Sequence, residues 1–196
     1  AMPEVLKEAV ARAYEACGWD LDTGECVCDP PVFPTFVQVT RTLPEVLDET
    51  AYSQEVKGNY MGALLTRVKS MTQYSYKKIF CQEEIPDQEL FDTNVLIDIS
   101  RLGSSETKAL IMGILVIRLQ EYRSVQKGGM NRKLRHVTLL EEAHHLLRGV
   151  SAAPAADGGN LRGMSVEILT NAIAEMRTYG EGFVIADQSP KMMDET

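Results

Sequence analysis

Two adjacent carboxylates close one of the apolar runs in this sequence. In Val137-Thr138-Leu139-Leu140-Glu141-Glu142-Ala143-His144, four strand-forming residues carry Glu141 and Glu142 to the carboxyl end of a strand, the edge where parallel α/β sheets place their ligands. Phosphoryl transfer uses such a pair: one acid in the Mg²⁺ shell, and a second, differently directed, that orients or deprotonates the attacking water. This is the build of a Walker B motif, with Glu141 on the metal side and Glu142 as the catalytic acid. The plainer alternative is a solvated strand end.

A second apolar run, Phe183 to Ala186, leads into Asp187-Gln188-Ser189-Pro190. It sets the amide of Gln188 at the same sheet edge, where a sensor of the γ-phosphate sits; a turn residue would look the same. Ahead of it, Glu175-Met176-Arg177-Thr178-Tyr179-Gly180 finishes a helix with Arg177, either a cation for phosphate chemistry or a partner of the helix dipole. Glu142 and His145 form a Glu-x-x-His pair of the di-iron type, but those sites need a second such pair on a facing helix and two further Glu, and apart from the overlapping Glu141 and His144 the sequence holds no second pair. A phosphate-binding loop, G-x-x-x-x-G-K-[ST] after a strand, is also missing. Gly103-Ser104-Ser105-Glu106-Thr107-Lys108 imitates part of it without the second Gly, and reads as a helix N-cap.

The elements that position these residues follow from periodicity. Val5, Leu6, Ala9, Val10, Ala13, Tyr14 and Cys17 recur at helical spacing from Pro3 to Cys17, with Gly18 as a left-handed cap. Residues 20 to 36, with Pro30, Pro31 and Pro34, read as a loop. Thr42-Leu43-Pro44-Glu45 fits a capping box that opens a short helix to about Thr50, and Ser53 starts a longer amphipathic helix. Gly58 and Gly62 on it would admit a close helix neighbour. Asn94 to Ile99 is a short β-branched run expected to be a strand buried on both faces. Ser104 or Ser105 caps a helix to about Arg123 that is apolar nearly all round, as for a helix pressed between a sheet and other helices. Strands at Leu134–Leu140 and Phe183–Ala186 flank a helix from Ser165 to Thr178, and Gly149 to Gly163 is expected to be mobile. Strand and helix alternating in this way predict an α/β fold: a partial RecA-like parallel sheet at residues 81–196, with an attached all-helical subdomain at 2–80.

Composition narrows the classes. Twenty Lys and Arg against 28 Asp and Glu give a net charge of −8, which argues against a surface that coats nucleic acid as a whole. The longest apolar run, Ala109 to Leu119, falls short of the roughly 20 residues of a membrane span; without a secretory signal either, a cytoplasmic protein with no membrane partner is expected. Cys17, Cys26, Cys28 and Cys81 lack paired C-x-x-C spacing and read as reduced thiols; Cys26 and Cys28 with Cys17 nearby offer three metal ligands but no evident fourth. Ala1 before Met2 resembles a tag remnant, and both ends are expected to be cuts in a longer protein.

In "NVLIDISRLGSSETKALIMGILVIRLQEYR", "VTLLEEAHHLL" and "MRTYGEGFVIADQSP", the run from Asn94 to Pro190 resembles HerA-like DNA translocases of the HerA/FtsK superfamily, over about half the chain. The first third is similar, more loosely, to insertions between Walker A and the next strand in some relatives. The resemblance implies ATP and Mg²⁺ as cofactors of the full-length protein, and implies self-association into a ring, with DNA and a nuclease as partners. It matches Glu141 and Glu142 to the Walker B acids, Gln188 to the Gln that ends the sensor strand, and Arg177 to an arginine acting on a neighbouring subunit's nucleotide. The missing phosphate loop is the departure; it is expected upstream of Ala1, leaving these 196 residues alone without ATPase activity. The competing expectation is a non-catalytic protein-interaction module on an α/β fold.

Overall fold

The computed structural model describes residues 2–74, 76–126, 131–144 and 161–188, the first six residues of the last stretch by their backbone alone. The chain divides into two compact units, residues 1–84 and 85–196.

The first unit is helical apart from a two-residue-stranded hairpin. Helix α1 (Met2–Ala16) buries Val5, Ala9 and Ala13, one residue per turn along a single stripe, against α2 (Phe36–Glu49). From α2 come Val39, Leu43, Val46 and Leu47. The capping box that opens α2 is Thr35 with Gln38, not Thr42 with Glu45. Both fit the pattern, but Thr42 lies on the buried face and its hydroxyl donates to the Ala9 carbonyl at 2.6 Å. Starting the helix at Phe36 buries Val39 as well, which outweighs the missing N–H of Pro44 inside the helix. The hairpin joins β1 (Trp19–Asp20) to β2 (Glu25–Cys26), inside the stretch expected to be all loop. Ser53 caps α3 (Gln54–Tyr60) as expected; the chain continues through a π-helical turn (Met61–Leu65) into α4 (Thr66–Ser70), burying Leu64 and Val68. A short α5 (Tyr76–Ile79) follows.

The second unit is α/β. After α6 (Asp87–Phe91), Ser104 caps α7 (Ser105–Ser124) through the Thr107 N–H. Strand β3 (His136–Glu141) pairs in parallel with β4 (Glu181–Ala186), in a register that sets His136 opposite Glu181 and Glu141 opposite Ala186. Helix α8 (Leu161–Met176) and a 3₁₀ turn (Arg177–Tyr179) connect them on the β4 side. The core comprises Leu90 and Phe91, then Met112, Val116 and Leu119 of α7, Leu140 and Ala143, and Leu169, Ala172 and Met176 of α8. Gly180, which ends the 3₁₀ turn just before β4, has a φ of +84°, and a Cβ there would lie 2.4 Å from the Lys133 carbonyl oxygen, so only glycine lets the two strands start side by side.

One expected strand is not in the sheet. Among the described residues only β3 and β4 form a parallel ladder, and Asn94–Ile99 pairs with neither; Leu96 is 94% exposed. A strand exists through the partner that accepts its hydrogen bonds, so an apolar, β-branched hexapeptide without that partner stays irregular. Apolar surface is open on β3 and β4 at Val137, Leu139 and Val184, and on α7 at Leu110, Ile114 and Ile117, although a parallel sheet is ordinarily covered on both faces. The expected mobile segment lies outside the described residues up to residue 160; from Leu161 it is helix. No described helix is long and apolar enough to cross a membrane.

Candidate functional site

The site forms where β3 and β4 end side by side. Along β3 the side chains alternate, Leu140 turning into the core while Val137, Leu139 and Glu141 face outward. The chain then turns sharply: Glu142 has a φ of +52°, in the left-handed region that non-glycine residues seldom occupy, and Ala143 is fully buried directly after it. Strain of this kind persists where the surroundings fix it and collects at functional sites. Here the turn lifts the Glu142 carboxylate away from the strand to the sheet's carboxyl edge.

Asp187, the first residue past β4, meets it there. Its carboxylate is 1% exposed and accepts the His144 backbone N–H at 2.7 Å, with His144 Nδ1 at 2.9 Å from the same oxygen. Glu142 Oε2 lies 3.3 Å from that Nδ1, and Glu142 Oε1 accepts from Gln188 Nε2 at 3.1 Å. Two carboxylates thus converge on one imidazole nitrogen, and a proton on Nδ1 serves both. Glu142, His144 and Asp187 each offer a ligand atom, all within 4.8 Å of one another. The two carboxylates supply the oxygen ligands that Mg²⁺ takes, while the His144 nitrogen suits a borderline cation such as Zn²⁺ better.

Of the residues expected from sequence, Glu142 and Gln188 are brought together. Glu141 is not part of this group: it ends β3 opposite Ala186, exposed on the outward face. Arg177 stands at the other end of the sheet, in the 3₁₀ turn before β4, beside an open cavity of about 510 Å³ that it lines with Asn131, Arg132 and Thr178. With about 3.3 Å per strand residue, β4 puts roughly 20 Å between Arg177 and Asp187. Among the described residues no carboxylate pairs with Arg177.

Sequence reasoning had noted Asp187 and His144 without giving either a role in the site. It missed entirely the ionic cluster at the amino end of the sheet. Arg123, 1% exposed in its side chain, donates through Nε to Oε1 of the fully buried Glu181, through Nη1 to Asp92 Oδ1 at 2.6 Å, and through Nη2 to the Phe91 carbonyl. The other oxygen of Glu181 lies 2.7 Å from His136 Nδ1. Hydrogen bonds from Tyr122, and then from Arg123, hold the Asp92 carboxyl below its usual range, and Asp92 in turn pushes the Tyr122 phenol up. A signal for this cluster exists in the sequence: Met112, Val116, Leu119 and Arg123 share the buried stripe of α7. A charge in that register needs a buried partner.

No family model, curated protein or solved structure matches the chain.

Proposed function

We propose that residues 85–196 are the Walker B side of a RecA-like P-loop ATPase core, from a HerA-type ring motor that couples ATP hydrolysis to movement or processing of DNA. The observation that carries the reading is the 3.1 Å contact between the Glu142 carboxylate and the Gln188 amide at the carboxyl ends of two adjacent parallel strands. A hydrolytic base and a γ-phosphate sensor have to be neighbours, because water attacks the phosphorus whose oxygens the sensor reads.

In this reading Glu142 takes the proton of the attacking water, Gln188 orients that water and reports the γ-phosphate, and Glu141 contributes to the Mg²⁺ shell, where the cation offsets phosphate charge. Asp187 and His144 hold the Glu142 turn in place. Arg177, some 20 Å from this edge by strand length, serves the nucleotide of a neighbouring subunit. The phosphate cradle is supplied by a loop outside these 196 residues, which contain no Walker A motif. The open apolar faces of β3, β4 and α7 support this reading, since they are what a larger sheet with its helical layers would cover. They equally favour a second reading, a protein-interaction module whose docking face is that surface.

Calorimetry with ATP and Mg²⁺ on the 196-residue chain, and on the chain extended by a Walker A loop, separates the two. Nucleotide affinity that appears with the loop and falls with Glu141→Ala supports the motor. Equal, negligible binding by both forms overturns it.

A further inference from the structure

Charge in the helical unit is unevenly spread. Residues 1–55 carry eleven acids against three Lys and Arg, whereas residues 56–82 carry Lys57, Arg67, Lys69, Lys77 and Lys78 and no acid at all. Apolar anchors hold this stretch on the unit: Leu64 and Val68 are buried in its core, and the Phe80 ring, just past α5, meets Phe36 edge-on at 5.1 Å. The cations around the anchors face solvent, Arg67 and Lys69 on α4 on either side of the buried Val68, and Lys77 and Lys78 on α5. Other cations of the unit are engaged: Lys57 donates to the Asp48 carbonyl at 2.7 Å, and Arg12 is held by Glu8 and Glu49. The side chains of Arg67, Lys69, Lys77 and Lys78 have no hydrogen bond and no carboxylate among the described residues.

Tyr74 lies between the two pairs, in the turn from α4 to α5, with a φ of +51° and 89% exposure. Tyr14, Tyr52 and Tyr60 pack edge-on against other rings, and Tyr122 and Tyr179 bond through their hydroxyls to carboxylates. Tyr74 has neither kind of partner among the described residues. A bulky residue in the left-handed region is strained, and no packing of its own ring offsets that strain.

We propose that Arg67, Lys69, Lys77 and Lys78, with Tyr74 among them, form a binding surface for single-stranded nucleic acid. The choice of DNA rests on the motor reading; the single strand follows from the charges and the ring. Cations without partners neutralise successive phosphates and release their counterions. Taken alone they would accept any polyanion, but an exposed aromatic face adds stacking, and a base is free to stack on it only outside a duplex. An acidic protein would satisfy the cations and leave the ring without a flat partner. A membrane would take an apolar face, whereas Leu64 and Val68 are turned into the core. The acid-rich residues 1–55 repel phosphate, which confines binding to this stretch.

The test is fluorescence anisotropy of a labelled oligothymidylate titrated with the 196-residue chain, without nucleotide, at several salt concentrations. Four phosphate contacts on a single strand give a log–log slope of affinity against salt of about −3, and Lys77→Ala/Lys78→Ala should bind more weakly with a slope of about −1.4. Tyr74→Ala should weaken binding about 5- to 150-fold at an unchanged slope, and Tyr74→Phe, which keeps the ring, should bind as the wild type does. These side chains are exposed, so the melting temperature should stay the same in every variant. No binding at low salt overturns the proposal, as does binding that Lys77→Ala/Lys78→Ala and Tyr74→Ala leave undiminished. A preference for a duplex of equal length, or for vesicles of anionic phospholipid, overturns it as well. Because nucleotide is absent, failure here leaves the motor reading standing, and that reading falls only on its own calorimetric test.

Discussion

Gln188 donates its side-chain amide to the carboxylate of Glu142 across the ends of β4 and β3, two residues 46 positions apart in the chain. The contact exists because two independent turns finish in the same place. One is the left-handed turn at Glu142, and the other is the exit from β4 at Asp187, and His144 is bonded to Asp187 through both its backbone N–H and its ring.

The first prediction concerns Glu142 in the parent protein. Glu142→Gln keeps the shape and the hydrogen bond to Gln188 but cannot accept a proton, so ATP binding is retained and turnover drops by about 10² to 10⁴. Steady-state turnover beside nucleotide affinity checks it. A Glu142→Gln protein that hydrolyses ATP at the wild-type rate shows that Glu142 is not the base.

The second concerns Arg177. An arginine acting across a subunit boundary is worth about 10³ to 10⁵ in rate, whereas one that only complements a helix end is worth roughly 0.3–1 kcal/mol of stability. Full-length Arg177→Ala and Glu142→Gln subunits, each inactive alone, should recover activity when mixed, because mixed interfaces pair an intact Arg177 with an intact Glu142. Full activity of Arg177→Ala by itself rules the role out.

Stability should depend on the ionic cluster at the opposite edge. Arg123→Ala leaves the Glu181 carboxylate buried with His136 and, at 3.9 Å, Arg135 to answer it, and breaking a buried pair from one side costs about 3–5 kcal/mol. Replacing Arg123 with Met and Glu181 with Leu together removes both charges and should restore much of that loss, which a double-mutant cycle of denaturant midpoints measures. Equal and additive losses would mean that the two side chains are not coupled.

A fourth prediction is the acid response of Asp92. Its folded carboxyl titrates below its unfolded value because Tyr122 and Arg123 bond to the ionised form. The stabilisation is therefore complete above the unfolded value, about 3.9, and is lost as pH falls through the lower folded one. Asp92→Asn should lower the melting temperature at neutral pH and flatten its decline below about pH 4. An unchanged acid slope in Asp92→Asn would assign that decline to other carboxylates.

Local signals were enough for α1, for the starts of α3 and α7, and for the strand that ends at the two acids. The apolar stripe of α1, the Ser53 and Ser104 caps, and the acids at the end of β3 all rest on contacts within a few residues, where spacing alone fixes which side chains share a face. Tertiary structure decided between equal local options. Thr35 rather than Thr42 opens α2 because Thr42 is needed against Ala9, and Asn94–Ile99, a strand by composition, lies outside the sheet because nothing described pairs with it. It also decided which polar groups meet: Asp187 with His144, Arg123 with Glu181, and the Cys26 and Cys28 thiols at the Cys17 carbonyl. Except for the cysteines, these partners stand more than 40 positions apart, and their meeting depends on the parallel register of β3 and β4 and on the packing of α7. Sequence periodicity shows which way each side chain faces, but it carries no information about what a distant strand brings to the same spot.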